Sequence, residues 1–259
     1  GGAALLTVTM LVTKAIGALY KIPLGNLLDE QGMNYFYAAY NIYNLLLMVS
    51  TAGLPLALSR LVSQAEALGR VNRRRRIVSV AFRLFLLLGL LSSGLMFFLA
   101  GDLAGWMHNT RAEDAIRVLS PAVLCVCLVS VIRGYTQGMG DMRPTAASEV
   151  ISHIAAAGAI AGVTAGVILS LLALTVWTAT HLSRDKGRDD PGQSRDILRQ
   201  LLAIGVPITV GSVSLSVINL LDQSITMGIL QTSWGLTEPE AAGLYGTYSY
   251  AGNLFALPA

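Results

Sequence analysis

The sequence predicts an all-α protein, a polytopic bundle of transmembrane helices. Of its 259 residues, 54% are hydrophobic and 13% are charged, whereas about 25% of the residues of a typical soluble domain are charged. Several apolar runs reach about 20 residues, the length at which an α-helix crosses the hydrocarbon core of a bilayer. Short polar segments separate these runs, so we expect the chain to cross the membrane several times.

Glycine, proline and charged residues divide the apolar sequence into helices. In chain order the predicted helices cover 3–28, 33–58, 77–99, 115–137, 198–230 and 241–259. A short acidic link at 29–32 joins the first two, and Gly53 and Pro55 bend or end helix two. The stretch 146–182 is almost uninterrupted, which is long for one span and short for two spans with a turn.

Lys14 and Lys21 lie inside the first apolar run. A charged side chain near the middle of a bilayer costs about 3 kcal/mol on insertion scales. The two lysines are seven positions apart, so they share one face of a helix. We expect this face to line a polar cavity that receives an anionic substrate. The alternative is that each lysine stem reaches the membrane surface and has no further role.

Polar side chains also interrupt helix two and the helix predicted at 198–230. Asn41 and Asn44 lie on one face of helix two, where they either bond to other helices or contact a substrate. A polar stripe with helical spacing runs along the later helix and consists of Ser212, Ser216, Asn219 and Gln223.

Asp222 lies beside the end of this stripe. A carboxylate within a membrane helix is a functional candidate. Its possible roles are binding of a proton or Na⁺, pairing with Lys14 or Lys21, or an interfacial position without a role.

Arginines are concentrated in the amphipathic segment 59–76, which holds Arg60, Arg70 and the run 73–76. Lys and Arg beside membrane helices mark the cytoplasmic side, and this rule alone explains the segment. Anionic lipid or nucleic acid would also bind such a basic surface.

The charge of the later links indicates whether the chain crosses the membrane an even or an odd number of times within 146–182. The segment 183–199 holds five Lys and Arg residues, so the positive-inside rule places it in the cytoplasm. This placement requires an even number of passes through 146–182. We therefore expect either that about one helix is missing near 153–156 or that a short re-entrant pair is present.

Patterns of catalytic or metal-binding residues are absent from the sequence. His108, His153 and His181 are scattered, and no HExxH motif occurs. Cys125 and Cys127 point to different sides of a helix, which suits neither a disulfide nor a metal site. We expect no enzymatic activity, no cofactor and no nucleic-acid partner.

A weak internal repeat divides the chain. Tyr37-Ala-Ala-Tyr40 in helix two is matched by Tyr245-Gly-Thr-Tyr248 in the last helix, and each motif precedes a Leu-Pro pair. Repeats within one chain build many transporters as two halves around a site at the membrane midplane.

We accordingly expect a first transmembrane half over 1–182, a cytoplasmic linker over 183–199 and the start of a second half over 200–259. The sequence lacks an initiator Met and stops within an apolar segment. We therefore expect it to be a fragment of a longer protein, containing the first half and two helices of the second.

Several motifs together carry a family resemblance. They are Lys14-Ala-Ile-Gly-Ala-Leu-Tyr-Lys-Ile-Pro-Leu-Gly25, Tyr40-Asn-Ile-Tyr43, Gly53-Leu-Pro-Leu-Ala-Leu-Ser-Arg60, Arg133-Gly-Tyr-Thr-Gln-Gly138 with Pro144-Thr145, and Leu244-Tyr-Gly-Thr-Tyr248 with Leu257-Pro258. The chain resembles the stage V sporulation protein B and polysaccharide-export branch of the multidrug/oligosaccharidyl-lipid/polysaccharide flippase superfamily. The sequence departs from that pattern after His153, where a fifth helix should continue.

The resemblance implies a MATE-like fold in two halves, located in the bacterial cytoplasmic (inner) membrane. It implies a flippase for an undecaprenyl-pyrophosphate-linked precursor of cell wall or polysaccharide, such as lipid II, acting by alternating access with membrane lipids and Na⁺ or H⁺ as further partners. The lipid II flippases carry several cavity arginines, whereas helix one here has lysines and a tyrosine, so those arginine roles are not transferred.

We expect the substrate to be bound by Lys14, Lys21, Asn41, Asn44, Arg60, Ser216 and Asn219, with Asp222 as the candidate for ion coupling. Cationic side chains would offset the charge of the pyrophosphate, and the polar uncharged ones would bond to the sugars. The alternative is a cation-coupled multidrug exporter, for which acidic cavity residues would be expected and the lysines count against it.

Overall fold

The computed structural model describes the backbone over residues 2–156, 159–181 and 189–255, and side chains within 8–9, 11–12, 30–151, 162–176, 178 and 189–252. The regular elements in these ranges are α1 Gly2–Thr51, α2 Leu54–Ala67, α3 Val71–Phe98, α4 Ala100–Trp106, a 3-10 turn Thr110–Ala112, α5 Glu113–Gly138, α6 Arg143–Ala156, α7 Ala159–His181, α8 Ser194–Thr232 and α9 Glu238–Phe255. All of them are helical, which confirms the predicted all-α class.

Four stretches of the described chain are long and apolar enough to cross a membrane. They are Glu30–Ala67, Val71–Phe98, Thr110–Gly138 and Ser194–Thr232. A shorter apolar helical stretch, Gly162–Val176, lies within α7. A chain with several such helices is a multi-pass membrane protein, as predicted.

The structure corrects the first predicted boundary, because α1 continues without interruption through the expected link at 29–32. This segment contains Glu30 and Gln31, which favour helix, and no proline, while Gly32 alone costs only about 1 kcal/mol. The predicted break near Gly53 is confirmed: α1 ends at Thr51, and α2 starts at Leu54 with proline in its first turn.

The arginine run also differs from its prediction, because residues 73–76 form the first turns of α3 instead of a link. Arginine favours helix, so the run extends α3 without penalty. Arg74 is buried and forms an ion pair with Glu66 of α2, while Arg75 and Arg76 are exposed. We call the end of the bundle that carries these residues the basic end.

Asp189, which is distant in sequence, caps the N-terminus of α3. Its two carboxylate oxygens accept hydrogen bonds from the backbone N–H groups of Asn72 and Arg73, both at 2.9 Å. Partial loss of water would raise the pKa of the Asp189 carboxyl, but these two bonds and the charge of Arg70 hold it below its ordinary value. The first N–H groups of a helix lack partners within the helix, so Asp189 acts as a cap and places the start of α8 at the basic end.

The core lies between α1, α2, α3 and α5. Fully buried side chains there include Leu58, Ile77, Phe85, Met96 and Leu119. Lipid tails are as apolar as leucine, so moving these side chains from lipid into the protein interior gives little hydrophobic stabilisation. The bundle is stabilised instead by their close van der Waals packing.

The stretch 146–182 holds α6 and α7, which pack against each other and, through α7, against α5. Only two residues separate α6 from α7, so helices that pack side by side there run antiparallel. The Ser170 hydroxyl of α7 donates to the carbonyl of Ser148 in α6 at 2.9 Å. His153 and His181 have side chains outside the described part of the chain.

The backbones of α8 and α9 lie close to earlier parts of the chain at two glycines, Gly53 before α2 and Gly246 in α9. A Cβ atom at Gly53 would collide with the carbonyl oxygen of Gly205 in α8, and a Cβ at Gly246 in α9 would collide with the carbonyl oxygen of Glu30 in α1. Because backbone atoms occupy the space in both cases, no change of side-chain rotamer relieves the collision. These two glycines therefore permit the contact of α8 and α9 with the earlier helices.

At the end away from the arginines, which we call the opposite end, the segment between α4 and α5 bonds to α8 and α9. The Gln231 side chain donates to the carbonyl of His108 at 2.8 Å, and the Thr110 hydroxyl donates to the Glu238 carboxylate at 2.8 Å. The backbone of His108 has a φ of 52°, which is uncommon for a residue other than glycine. The side chain of His108 is exposed.

Replacement of Gly246 by alanine is expected to lower stability by about 1–3 kcal/mol, the usual cost of overpacking. Gly211 in α8 is the matched control, since a Cβ there meets no atom of the described structure within 4 Å. Gly211→Ala should leave stability unchanged or raise it by up to about 1 kcal/mol. The midpoint of thermal denaturation in detergent measures both. Equal midpoints for Gly246→Ala and the unmodified protein would contradict the close packing of α9 on α1.

Asp189 gives stability a pH dependence. Because its folded-state pKa is lowered, its contribution is present above the unfolded pKa of about 4 and is lost as the pH falls through the folded pKa. Asp189→Ala should therefore lower the denaturation midpoint at pH 7, and the difference from the unmodified protein should shrink in acid. The control is Asp190→Ala, because Asp190 accepts a hydrogen bond from the backbone of Gly192 in its own loop and should show a smaller effect. A difference for Asp189→Ala that persists unchanged below the folded pKa would exclude the charged cap.

Candidate functional site

A polar cavity of about 340 Å³ lies between α1, α8 and α9. Its described lining consists of Tyr37, Tyr40, Asn41, Asn44, Asn219, Asp222, Tyr245, Tyr248, Ser249 and Gly252. The volume is near the lower end of the range of about 300–1,000 Å³ found for small-molecule sites. Nine of these ten residues carry a polar side chain. In the sequence, the residues before and after them in these helices are mainly apolar.

The cavity lies well inside the membrane helices. Asp222 is roughly 15 Å along α8 from its end at Thr232, and Tyr245 is roughly 10 Å from the start of α9 at Glu238, at 1.5 Å per residue. Polar side chains at such depth must be paired or must face water, since lipid offers no hydrogen-bond partner.

Helical periodicity brings the polar residues of each helix to one wall. Residues three, four and seven positions apart share a helix face. This rule places Tyr40, Asn41 and Asn44 with Tyr37 on α1, and it places Asn219 with Asp222 on α8. Of the polar stripe predicted from the sequence, Asn219 lines the cavity.

A network of buried side-chain amides lies next to the cavity and includes the lining residue Asn41. The Asn41 side chain donates to Gln223 Oε1 at 2.8 Å, and Gln223 in turn donates to Asn34 Oδ1 at 3.0 Å. Asn109, in the segment between α4 and α5, donates to the same Asn34 oxygen at 3.3 Å. Asn34, Asn109 and Gln223 are fully buried, so this network joins three parts of the chain in a place where an unpaired amide would be costly.

Asp222 is the charged group of the cavity. The Tyr245 hydroxyl of α9 donates to Asp222 Oδ2 at 3.3 Å, while Asp222 itself is exposed. Asp222 is also the only formal charge among the described lining residues, none of which is Lys or Arg. The described surface is therefore neutral to anionic, and its hydrogen-bond acceptors and donors are suited to hydroxyl and amide groups.

The structure brings together four of the predicted site residues, because Asn41, Asn44, Asn219 and Asp222 line the same cavity. Ser216 is half-buried on α8 and is not part of the lining. Arg60 is exposed on α2, towards the basic end.

The side chains of Lys14 and Lys21 lie outside the part of the chain that the structure describes. Their role in binding an anionic group, and their possible pairing with Asp222, stay predictions. The described partner of the Asp222 carboxylate is the Tyr245 hydroxyl.

Sequence reasoning did not assign the four cavity tyrosines to the site. The sequence patterns single out Tyr37 and Tyr40 as half of the repeat, with Tyr245 and Tyr248 as the other half. The repeat was the signal that could have found them, since equivalent positions in two halves face a common centre. Asn34 was also missed, because nothing in its sequence environment shows that it is buried.

The motif at 133–138 has a structural role in the described chain. The Arg133 guanidinium of α5 donates to the Ser148 hydroxyl at 2.9 Å and lies 3.6 Å from the Glu149 carboxylate of α6. At Gly138, a Cβ would approach the carbonyl oxygen of Ser59 to 2.7 Å. The motif thus packs α5 against both α6 and α2.

The described helices have the fold of the transporters of the MOP superfamily, which includes the multidrug MATE transporters. A solved MOP-superfamily transporter from Pyrococcus furiosus superposes with a TM-score of 0.68, and the reverse polarity of its binding pocket suggests a different function for that protein. It is 16% identical, and the match covers 98% of this chain and 63% of the transporter.

Within this class, the chain belongs to the polysaccharide biosynthesis protein family, whose sequence model matches residues 1–258. The stage V sporulation protein B of Bacillus subtilis is 25% identical over 282 residues, covering 99% of this chain and 54% of that protein. The lipid II flippase MurJ of the same organism is 30% identical over 162 residues, covering 59% of this chain and 30% of MurJ. The resemblance inferred from the motifs is confirmed.

The chain spans about half the length, or less, of these two curated relatives. The alignment with the stage V sporulation protein B extends over 282 residues, more than the 259 of this chain. The relative therefore contains residues within the matched region that this chain lacks.

The pairing of Asn41 with Gln223 can be measured by a double-mutant cycle. Because either single replacement by alanine already removes the Asn41–Gln223 bond, we expect the two losses of unfolding free energy to be non-additive by about 0.5–2 kcal/mol. Titration with a denaturing detergent gives these free energies. A cycle of Asn41→Ala with Ser214→Ala is the control, since the Ser214 hydroxyl donates to the carbonyl of Val210 in its own helix and its effect should be additive. Additivity in both cycles would contradict the bond between α1 and α8.

Proposed function

We propose that the protein is a transporter that moves an undecaprenyl-pyrophosphate-linked sugar between the two leaflets of the bacterial cytoplasmic membrane. The observation that carries this proposal is the polar cavity between α1, α8 and α9, whose lining residues lie well inside their helices. The polysaccharide biosynthesis family and the flippase named among the curated relatives support the substrate class.

The orientation in the membrane follows from the positive charges. The basic end holds Arg73 to Arg76 and, through Asp189, the described end of the linker between the halves. The positive-inside rule places this end in the cytoplasm. Because α6 and α7 run antiparallel, α7 returns towards the end at which α6 starts, and this supports a cytoplasmic linker over 183–199.

The lengths of α6 and α7 are relevant to the expectation that about one helix is missing near 153–156. α6 has 14 residues, roughly 21 Å of helix, whereas the hydrocarbon core is about 30 Å thick. The surplus of residues in the aligned relative supports a deletion somewhere within the matched region, and we propose that it falls here. We propose that α6 is the shortened member of the pair, since α7 has 23 residues, roughly 35 Å of helix.

Transport then requires binding and movement but no covalent chemistry. In the proposed cycle, a lipid-linked substrate enters from the cytoplasmic leaflet with its sugar in the cavity and its tail in lipid. Lys14 and Lys21 offset the charge of the pyrophosphate. Opening towards the opposite end requires the bonds of Gln231 to His108 and of Glu238 to Thr110 to break, as one half rocks against the other.

A cation-coupled multidrug exporter is the second candidate, favoured by one observation. The only formal charge among the described lining residues is the carboxylate of Asp222, which would attract a cationic drug, Na⁺ or H⁺. The lysines of α1 oppose this candidate. Efflux of ethidium from proteoliposomes, driven by a Na⁺ or H⁺ gradient and lost in Asp222→Asn, would favour the exporter.

Replacing both Lys14 and Lys21 by alanine is expected to slow the flipping of a polyprenyl-pyrophosphate-linked disaccharide by about tenfold or more. A charge-assisted hydrogen bond contributes about 1.5–3 kcal/mol, and 1.4 kcal/mol corresponds to about tenfold. The assay reconstitutes the protein in proteoliposomes with the fluorescent substrate and measures, over time, the fraction bound by a membrane-impermeant lectin.

The matched control is the double variant Arg76→Ala and Arg83→Ala. These arginines are also seven positions apart on one helix, and both are exposed on α3 away from the cavity, so the variant should flip substrate at the normal rate. An unchanged rate in the lysine variant would show that the lysines do not bind the pyrophosphate. Absence of flipping by the unmodified protein would refute the proposed function.

A further inference from the structure

Another open space of the described structure is a groove along the first turns of α8, at the basic end of the bundle. We call it the basic groove. Its volume is about 790 Å³, and the residues of α8 that line it are Arg195, Asp196, Leu198, Arg199, Leu202 and Ala203. It shares no described lining residue with the polar cavity. Asn219 of that cavity lies roughly 30 Å along the helix from Arg199, so the two spaces are separate.

The face of α8 that lines the groove points away from the packed core. Ile197 and Leu201 are buried, with 1% and 0% exposure, so another side of the helix is fixed against the bundle. Arg199 and Leu202 follow Arg195 by four and seven positions and therefore share its face. All three are exposed. This face is open to a molecule that is not part of the chain.

The groove has an excess of positive charge. Arg195 and Arg199 form no ion pair with any residue that the structure describes. Asp196 lies in the first turn of α8, where the positive end of the helix dipole stabilises its charge. Two guanidinium groups and one carboxylate give the described lining a net charge of +1. Because arginine binds phosphate through two parallel hydrogen bonds, the groove suits a phosphate ester with a single negative charge.

Charged and apolar side chains line the groove in order, from the end of the bundle inwards. Arg195 comes first, and Leu202 and Ala203 lie roughly 10–12 Å further along α8. A phospholipid has the same order, with its phosphate in the interfacial layer and its acyl chains in the hydrocarbon core. Basic pockets at the cytoplasmic side of membrane helices bind anionic lipid headgroups. The order of the lining therefore favours an anionic lipid over a soluble anion.

We propose that the basic groove binds an anionic phospholipid of the cytoplasmic leaflet, of the phosphatidylglycerol type. Its phosphate is bound by Arg195 and Arg199, and its acyl chains lie against Leu198 and Leu202. The bonds of Asp189 to the backbone of α3 hold the chain just before α8 in place, so the two arginines are presented at a fixed position.

This lipid is distinct from the transported substrate of the proposed function. A pyrophosphate whose sugar occupies the polar cavity would be too far from the arginines, because the separation along α8 is roughly 30 Å. The inference uses the proposed orientation only to assign the groove to the cytoplasmic leaflet. Binding of phosphatidylglycerol can therefore succeed or fail independently of flipping.

Microscale thermophoresis of the purified full chain in dodecyl maltoside, titrated with dioctanoyl-phosphatidylglycerol, tests the groove. We expect saturable binding, with the Kd raised about tenfold or more in the double variant Arg195→Ala and Arg199→Ala, since each arginine lost weakens the attraction to an anionic lipid several-fold. Dioctanoyl-phosphatidylcholine, which has no net charge, should bind about tenfold more weakly or less tightly still.

The matched control is the double variant Arg75→Ala and Arg76→Ala. It removes the same charge from the same end of the bundle, and both arginines are exposed outside the groove. Because salt screens charges that do not contact the lipid, the Kd should change by about twofold at most. An equal rise of the Kd in both double variants would show diffuse attraction and would overturn the site.

Two competitors distinguish the lipid from other phosphates. Glycerol phosphate, which lacks acyl chains, and farnesyl pyrophosphate, which carries the headgroup charge of the transported substrate, should not displace phosphatidylglycerol at equal concentration. Displacement by glycerol phosphate would reduce the groove to an anion site, and displacement by farnesyl pyrophosphate would assign it to the substrate. Either result, or a lack of binding by phosphatidylglycerol, refutes the proposed lipid site.

Discussion

Polar side chains within an apolar layer must find a partner or face an open space, and this constraint organises the described structure. Gln223 satisfies it by pairing with Asn41 and Asn34. Asn219 and Asp222, on the same helix, satisfy it by facing the cavity. The same helix thus uses adjacent polar residues for two purposes, first to fix α8 against α1 and then to supply a surface that a hydrophilic molecule can contact.

Acidic residues from late in the chain stabilise helix starts from early in the chain at both ends of the bundle. Asp189 accepts the first N–H groups of α3 at the basic end. Glu238 accepts the Thr110 hydroxyl and, at 3.3 Å, the backbone N–H of Arg111, just before α5. Both contacts lie where water is accessible, so they are exchangeable. The deeply buried contacts at Gly53 and Gly246 are instead between backbones and offer no such exchange.

The sequence predicts the class and four of the residues that line the cavity for one reason: polar residues are rare in apolar helices and therefore informative. That signal identified Asn41, Asn44, Asn219 and Asp222. It failed where the outcome depends on tertiary contacts, as for Asn34, whose burial is set by helices distant in sequence. The sequence-based prediction also failed at the link 29–32. Charged residues that favour helix are compatible both with a turn and with continuation of the helix, and the local sequence does not decide between the two.

The two walls of the cavity are equivalent in spacing but not in composition. Where α1 presents the amides Asn41 and Asn44, α9 presents the smaller Ser249 and Gly252. The matching spacing of the two helices thus gives the cavity one side rich in amide groups and another side with smaller side chains.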